Sequence, residues 1–245
     1  MSNIVVKYKR KRSIIVTLND GHTYVLYADI SKWPTVGDQI RGYYEFDGTA
    51  WKSVPRPNSN VVFKKMALIV ESPHKDEFDN LFNPLVPLNG LSGDKFSNNI
   101  LKKLNNWFSN NGNVSVNANT IVEINIINPV QYQTSLWHFL NGKIQYNLSN
   151  YPQNTYKKIN AKLRDAVWYF LFETCKLKGD FIRRIKTYNP DYIVNCCTGA
   201  IRHKPLNPKQ RKLKAKKPKA CVRFAISKII GQNQQYVEDK HPCKW

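Results

Sequence analysis

The stretch Met66-Ala67-Leu68-Ile69-Val70-Glu71-Ser72-Pro73 decides how the rest of the chain is read. Five apolar residues run without a polar interruption and stop abruptly at a carboxylate, a hydroxyl and a proline. A continuous apolar run of this length predicts a strand covered on both faces, as in a parallel sheet, rather than an alternating half-exposed strand. Similar runs recur downstream. Ile121–Ile127, Asp191–Cys196 and Gln235–Glu238 are predicted strands. Between them lie segments with apolar residues at helical spacing: Asp94–Phe108, Thr155–Leu177, Asp180–Tyr188 and Cys221–Ile230. Strand and helix in alternation predict an open, mostly parallel α/β sheet with helices on both faces.

The first ~58 residues read differently. Ser13–Leu18 and Thr23–Ala28 flank the turn signal Asn19-Asp20-Gly21, and Gln39–Glu45 and Thr49–Val54 flank Asp47-Gly48. Four short strands joined by tight turns predict a small β-barrel-like unit of the OB or SH3 kind over residues 1–58. Trp33, Tyr43, Tyr44 and Trp51 either offer stacking faces or fill its core. Pro55–Asn60 reads as a linker into an α/β domain spanning 61–245.

Charge narrows the class. The chain of 245 residues carries 38 Lys and Arg against 17 Asp and Glu, a formal charge of +21. Such an excess favours a polyanionic partner held through its phosphates. Arg202–Lys219 alone has nine basic residues, no acid and three prolines, so it predicts an irregular arm able to track phosphates or a solvated basic loop. Arg202, Lys209, Arg211, Lys212, Lys214, Lys216 and Lys217 are its candidate DNA contacts. No apolar run is long enough for a signal peptide or a membrane span, and there is no lipidation motif. The expectation is a monomeric cytoplasmic protein, nucleoid-associated, with no membrane partner. The five cysteines include no Cys-x-x-Cys and read as reduced thiols, so no metal and no cofactor is expected.

In an open α/β sheet, ligands bind beyond the carboxyl ends of the strands. The residues that follow the predicted strands are Glu71-Ser72-Pro73-His74, Asn125 to Gln133, Thr198-Gly199-Ala200 and His241-Pro242. Glu71 and His241 could position a water and assist a leaving group. Read singly, each is also an ordinary hydrogen-bonded loop residue. Pro87-Leu88-Asn89-Gly90-Leu91-Ser92-Gly93 precedes a helix, where backbone N–H groups can approach a ligand.

The order of these motifs resembles the uracil-DNA glycosylase superfamily. There an apolar strand ends in a Gly-Glu-Ala-Pro-Gly-like loop, a Pro-Phe-Val-Gly-x-x-Gly segment opens a helix, a strand ends in Asn, and a late His-Pro-Ser closes the site. Here the sequence reads Val70-Glu71-Ser72-Pro73-His74, then Pro87–Gly93, then Ile124-Asn125-Ile126-Ile127-Asn128-Pro129, and finally His241-Pro242-Cys243. The resemblance covers about Met66 to Trp245. It implies that Glu71 positions water or stabilises an oxocarbenium-like sugar, and that His241 disperses charge on the departing base. It implies that Asn128, or else Asn125, reads the edge of an extruded base, with Leu88, His74 and Ser72 beside it. Gly90, Ser92 and Gly93 would meet phosphate. The implied substrate is single- or double-stranded DNA with its base flipped into a pocket.

Three departures follow. Leu88 stands where the family has a stacking Phe, which leaves stacking to Tyr132 or Trp137 or weakens it. His74 beside the proline argues against strict uracil selectivity and admits a C5-modified pyrimidine. Three residues follow Pro242, so the family's wedge loop is not expected. The alternative is a catalytically silent relative that binds nucleic acid in replication or in phage and mobile-element biology, with the N-terminal unit free to meet DNA or a protein. A metal-dependent nuclease using Glu71, Asp76, Glu77 and Asp79 is a third.

Overall fold

The computed structural model describes residues 5–9, 13–17, 23–27, 34–73, 75–79, 83–110, 116–132, 134, 164–165, 167–173, 175, 177–199 and 217–245. It forms two sheets. Strands β1 (Val5–Lys9), β2 (Ser13–Thr17) and β3 (Thr23–Tyr27) make a three-stranded antiparallel meander. The turn at 19–21 that should close its second hairpin lies outside the described residues.

The second sheet has six strands in the order β5-β4-β7-β6-β8-β9. These are β4 (Gln39–Phe46), β5 (Trp51–Val54), β6 (Lys64–Ile69), β7 (Thr120–Ile127), β8 (Tyr192–Asn195) and β9 (Gln235–Glu238). β7-β6-β8-β9 are parallel. β4 pairs antiparallel with both β5 and β7. The α/β class therefore stands, while the sheet is mixed: a parallel core with an antiparallel hairpin on one edge.

That hairpin corrects the expected domain division. Residues 39–54 do not close a separate four-stranded barrel with the first hairpin. β4 runs along the whole of β7, from Gln39 opposite Ile126 to Phe46 opposite Thr120. The physical reason is the apolar content of the hairpin. Tyr44 and Trp51 are buried in the same cluster as the α1 side of the main sheet, and Trp51 stacks on Phe108 at 5.0 Å. Of the four aromatics weighed as stacking faces, Tyr43, Tyr44 and Trp51 are core residues, and Trp33 lies outside the described residues.

Three layers result. Helix α1 (Leu91–Asn110) covers one face through Phe96, Ile100, Leu104, Trp107 and Phe108, against Met66, Leu68 and Val70. Helical residues 164–165 and 167–173, α2 (Leu177–Tyr188) and α3 (Pro218–Ile226) cover the other, against Ala67 and Ile69. Alternate residues of β6 thus face opposite layers, and both layers are apolar, which is why the strand reads as an unbroken run.

Two helix boundaries differ from expectation. The helix predicted over Thr155–Leu177 is described only from 164 and ends before a bend at Cys175; Leu177 already belongs to α2, and residues 155–163 lie outside the described set. The prolines of the basic stretch argue against helix, yet Pro218 and Lys219 open α3. Proline is favoured at the first helical position, where its missing N–H costs nothing. α3 also ends at Ile226, ahead of a turn over 227–229. All five cysteines are free thiols. No helix among the described residues is long and apolar enough to cross a membrane.

Candidate functional site

The chain leaves β6 toward β7 on one side, and β8 is followed by β9 on the other. The strand order therefore reverses between β6 and β8, and a crevice is expected beyond their carboxyl ends. The loops leave side by side there. Val70 N–H donates to Ile127 O at 3.0 Å, and Cys196 N–H donates to Ile69 O at 2.8 Å. Glu71, Asn128 and Thr198 consequently emerge from three adjacent strands.

Glu71 is 5% exposed. Its Oε2 accepts from the Thr198 N–H at 3.0 Å, and its Oε1 lies 3.3 Å from Arg164 Nε. Its backbone carbonyl accepts from the Trp168 indole at 2.7 Å, which fixes the start of the loop on the helical layer. Burial pushes the Glu71 carboxyl above its usual range, against the lowering pull of Arg164 and the Thr198 N–H. Arg164 also pairs with Asp165 at 3.2 Å, and Asp165 is in turn bonded to Lys217. The result is an alternating row: Glu71, Arg164, Asp165, Lys217. Lys217, expected to meet DNA phosphate, is exposed and tied to this row.

Asn128 is 1% exposed, and neither end of its side-chain amide has a hydrogen-bond partner among the described residues. Asn125, on the face of β7 shared with Glu123, is 9% exposed with its Oδ1 unpaired. A buried polar atom without a partner costs about 1–3 kcal/mol, so an amide left open at both ends is unusual in a folded protein. Its backbone is by contrast well held. The Asn128 carbonyl accepts from Arg184 Nη2 at 2.9 Å.

His241 ends the segment after β9 and caps a short 3-10 turn, Pro242–Lys244. Its Nδ1 lies 3.2 Å from Cys243 Sγ. Burial raises the Cys243 thiol, against the lowering charges of Lys244 and Arg164. The segment is strapped to α1. Asp239 takes Lys103 Nζ at 2.7 Å and the Trp107 indole at 2.8 Å, and Trp245 stacks on Phe96 at 6.0 Å with Lys103 over its ring. Trp245 is thus docked on the protein.

The other expected residues fall as follows. Ser72 Oγ bonds Thr134 Oγ1 at 2.8 Å, and Thr134 is fully buried. Leu88, expected beside the base, is 1% exposed within the cluster under α1, so it is a core side chain. Its φ of +55° belongs to the turn that feeds the helix. Gly93 is required there, because a Cβ would sit 1.9 Å from Leu88 O. Gly90, with φ +65°, lies against Asp76, and Asn89 Nδ2 bonds Asp76 O at 2.6 Å. Gly90 therefore precedes α1 and is latched to the loop after Glu71, while Ser92 and Gly93 lie in the first turn of the helix. Tyr132 is half-buried against the helical layer. His74, Trp137, Arg202, Lys209, Arg211, Lys212, Lys214 and Lys216 lie outside the described residues.

Sequence reasoning missed Arg164, Asp165, Arg184 and Asp38. Each belongs to a residue type that is usually solvated, and only the i,i+4 spacing of Asp180 and Arg184 hinted at pairing. Among the described residues no group of three His, Cys, Asp or Glu side chains could hold a metal ion, so Glu71, Asp76, Glu77 and Asp79 do not form the cluster a metal-dependent nuclease would use. A groove of about 410 Å³ lined by Lys186, Asn189, Asp191 and Gln234 lies at the opposite, amino end of β8. Comparison with protein-family models, curated proteins and solved structures returned no match.

Proposed function

We propose that the protein is a DNA glycosylase that takes an extruded pyrimidine, uracil or a modified pyrimidine, and hydrolyses its N-glycosidic bond. The observation that carries this reading is the Asn128 amide, buried and unpaired at both ends, one strand away from the buried Glu71 carboxylate. An amide offers one donor and one acceptor side by side, which complements the paired acceptor and donor on a pyrimidine edge. Insertion of such a base would satisfy both of its atoms. Glu71 then serves the sugar side. As a carboxylate it stabilises developing positive charge on the sugar or orients the attacking water, and His241 stands to meet charge on the leaving base. The excess of 38 basic over 17 acidic residues supplies the phosphate affinity that base extrusion needs.

The test is a base-scanning assay. Oligonucleotides with uracil, thymine, cytosine or C5-modified pyrimidines at one labelled position, single- and double-stranded, are incubated with protein and cleaved at abasic sites by alkali. Product is expected on at least one base, falling about 10²- to 10⁴-fold in Glu71→Gln. Absence of product on every base and strand form would reject the proposal.

A second reading has its own support. The pairing of Glu71 with Arg164 and the Thr198 N–H suits a latch that joins β6, β8 and the helical layer. In a nucleic-acid-binding protein without catalysis, Glu71 would do only this. That reading predicts salt-dependent DNA binding with no abasic product, and lowered stability in Glu71→Gln.

A further inference from the structure

Asn128 has no side-chain partner among the described residues, so its backbone is what aims its amide. That backbone is held from outside its own strand. Arg184 on α2 commits its whole guanidinium to this region. Nη2 donates to Asn128 O at 2.9 Å, Nε to Asp180 Oδ2 at 2.8 Å, and Nη1 to Asp38 Oδ1 and Oδ2 at 2.5 and 2.6 Å. Asp38 comes from the segment that enters β4. It also accepts from Gln131 Nε2 at 3.4 Å, and Val36 N–H donates to Gln131 O at 3.0 Å. Two separate parts of the chain, α2 and the segment entering β4, thus meet on the loop 128–131. A planar guanidinium fixes direction as well as distance, which a lysine ammonium cannot do.

We infer that Asp38 and Arg184 are positioning residues that aim the Asn128 amide and thereby set which ligand edge it accepts. The assignment rests on the reading of Asn128 as the group that meets the base. It also gives the edge hairpin β4–β5 a purpose in the site: the hairpin's entry delivers Asp38. Neither residue touches substrate. Their effect is on the placement of a donor and acceptor pair, where displacement by about 1 Å is worth on the order of 10²-fold in rate.

The experiment compares full-length wild type with Arg184→Lys, Asp38→Asn and the milder Gln131→Ala, which leaves the Arg184 contacts in place. The first readout is the ¹⁵N side-chain amide resonance of Asn128, assigned by its loss in Asn128→Asp. A shifted or broadened resonance is expected in Arg184→Lys and Asp38→Asn, a smaller change in the same direction in Gln131→Ala, and none in Arg183→Lys, whose side chain is 72% exposed. The second readout is single-turnover excision from each oligonucleotide. Discrimination between bases should fall about 10- to 100-fold through KM while the pH profile of the chemical step is retained.

An amide resonance unchanged in all three variants would overturn the clamp. So would a loss confined to kcat with base discrimination intact. Should wild type release no base at all, the glycosylase reading fails by itself, and the amide resonance alone decides the clamp. Should Arg184→Lys and Asp38→Asn fail to fold, Gln131→Ala decides it by the same resonance.

Discussion

Two buried polar clusters sit at the carboxyl edge of the same sheet, and they are built on opposite principles. Around β8 and β9 the buried polar side chains are matched to partners. Arg223 pairs with Glu238 through Nε and Nη2, Tyr236 donates to Glu238 at 2.8 Å, and Asn195 Nδ2 donates to Tyr236 at 2.8 Å and to Lys219 O at 3.1 Å. Asn195 Oδ1 accepts from the Cys197 N–H at 3.1 Å, and the buried Lys219 ammonium bonds two backbone carbonyls, Asn195 and Asp239. Around β7 Asn125 Oδ1 and both ends of the Asn128 amide are left open. The first cluster commits its hydrogen bonds to the fold. The second leaves them unmade, at a cost in stability.

The largest effect should come from breaking the satisfied cluster. Glu238→Ala leaves the Arg223 cation buried, and unfolding by denaturant should show a loss of about 3–5 kcal/mol. The open cluster should respond in the other direction. Asn128→Leu removes two unpaired polar atoms and should leave stability unchanged or raise it by about 1–3 kcal/mol, while excision is lost. A large destabilisation in Asn128→Leu would mean that its amide is used by the fold after all.

A third outcome concerns slope. Burial raises the Glu71 carboxyl in the folded state, and burial raises Asp38 too, against the pull of Arg184. A carboxyl raised on folding binds its proton more tightly folded than unfolded. Its stabilisation is complete below the unfolded value, about 4.3 for Glu, and is lost as pH rises through the folded value. Glu71→Gln should therefore flatten the decline of stability above that pH in urea titrations; an unchanged slope would count against the burial of the charge. The smallest effect marks the contrast with the surface. Lys64 and Asp191 pair at 3.4 Å with the lysine side chain 51% exposed, and Lys64→Ala should cost no more than about 1 kcal/mol.

The same contrast explains what could be read in advance. β6, β7, β8 and β9 and helix α1 were legible to within a few residues, because burial on both faces writes an unbroken apolar run and burial of one stripe writes a helical period. The strand-end location of Glu71, Asn128 and Thr198 followed from that alternation alone. The hairpin β4–β5 was misplaced, since period-two alternation fixes a strand and its turn but says nothing about which neighbour it joins. Leu88 was expected beside the base because the resemblance aligns it with a stacking Phe; an aligned position carries no mark of the core that the side chain enters.

By itself, then, the sequence determined the elements, their α/β alternation, the basic character of the chain and the polar residues that follow each strand. These are local or additive properties. The tertiary structure alone decided that β4 runs beside β7, that Arg164 meets Glu71, and that Arg184 and Asp38, separated by 146 positions, close on Asn128. Pairings of that kind depend on where distant segments stop in space. It also decided that one asparagine in this crowded edge would keep both ends of its amide unused, because satisfaction of a buried group is a property of its neighbours and not of its type.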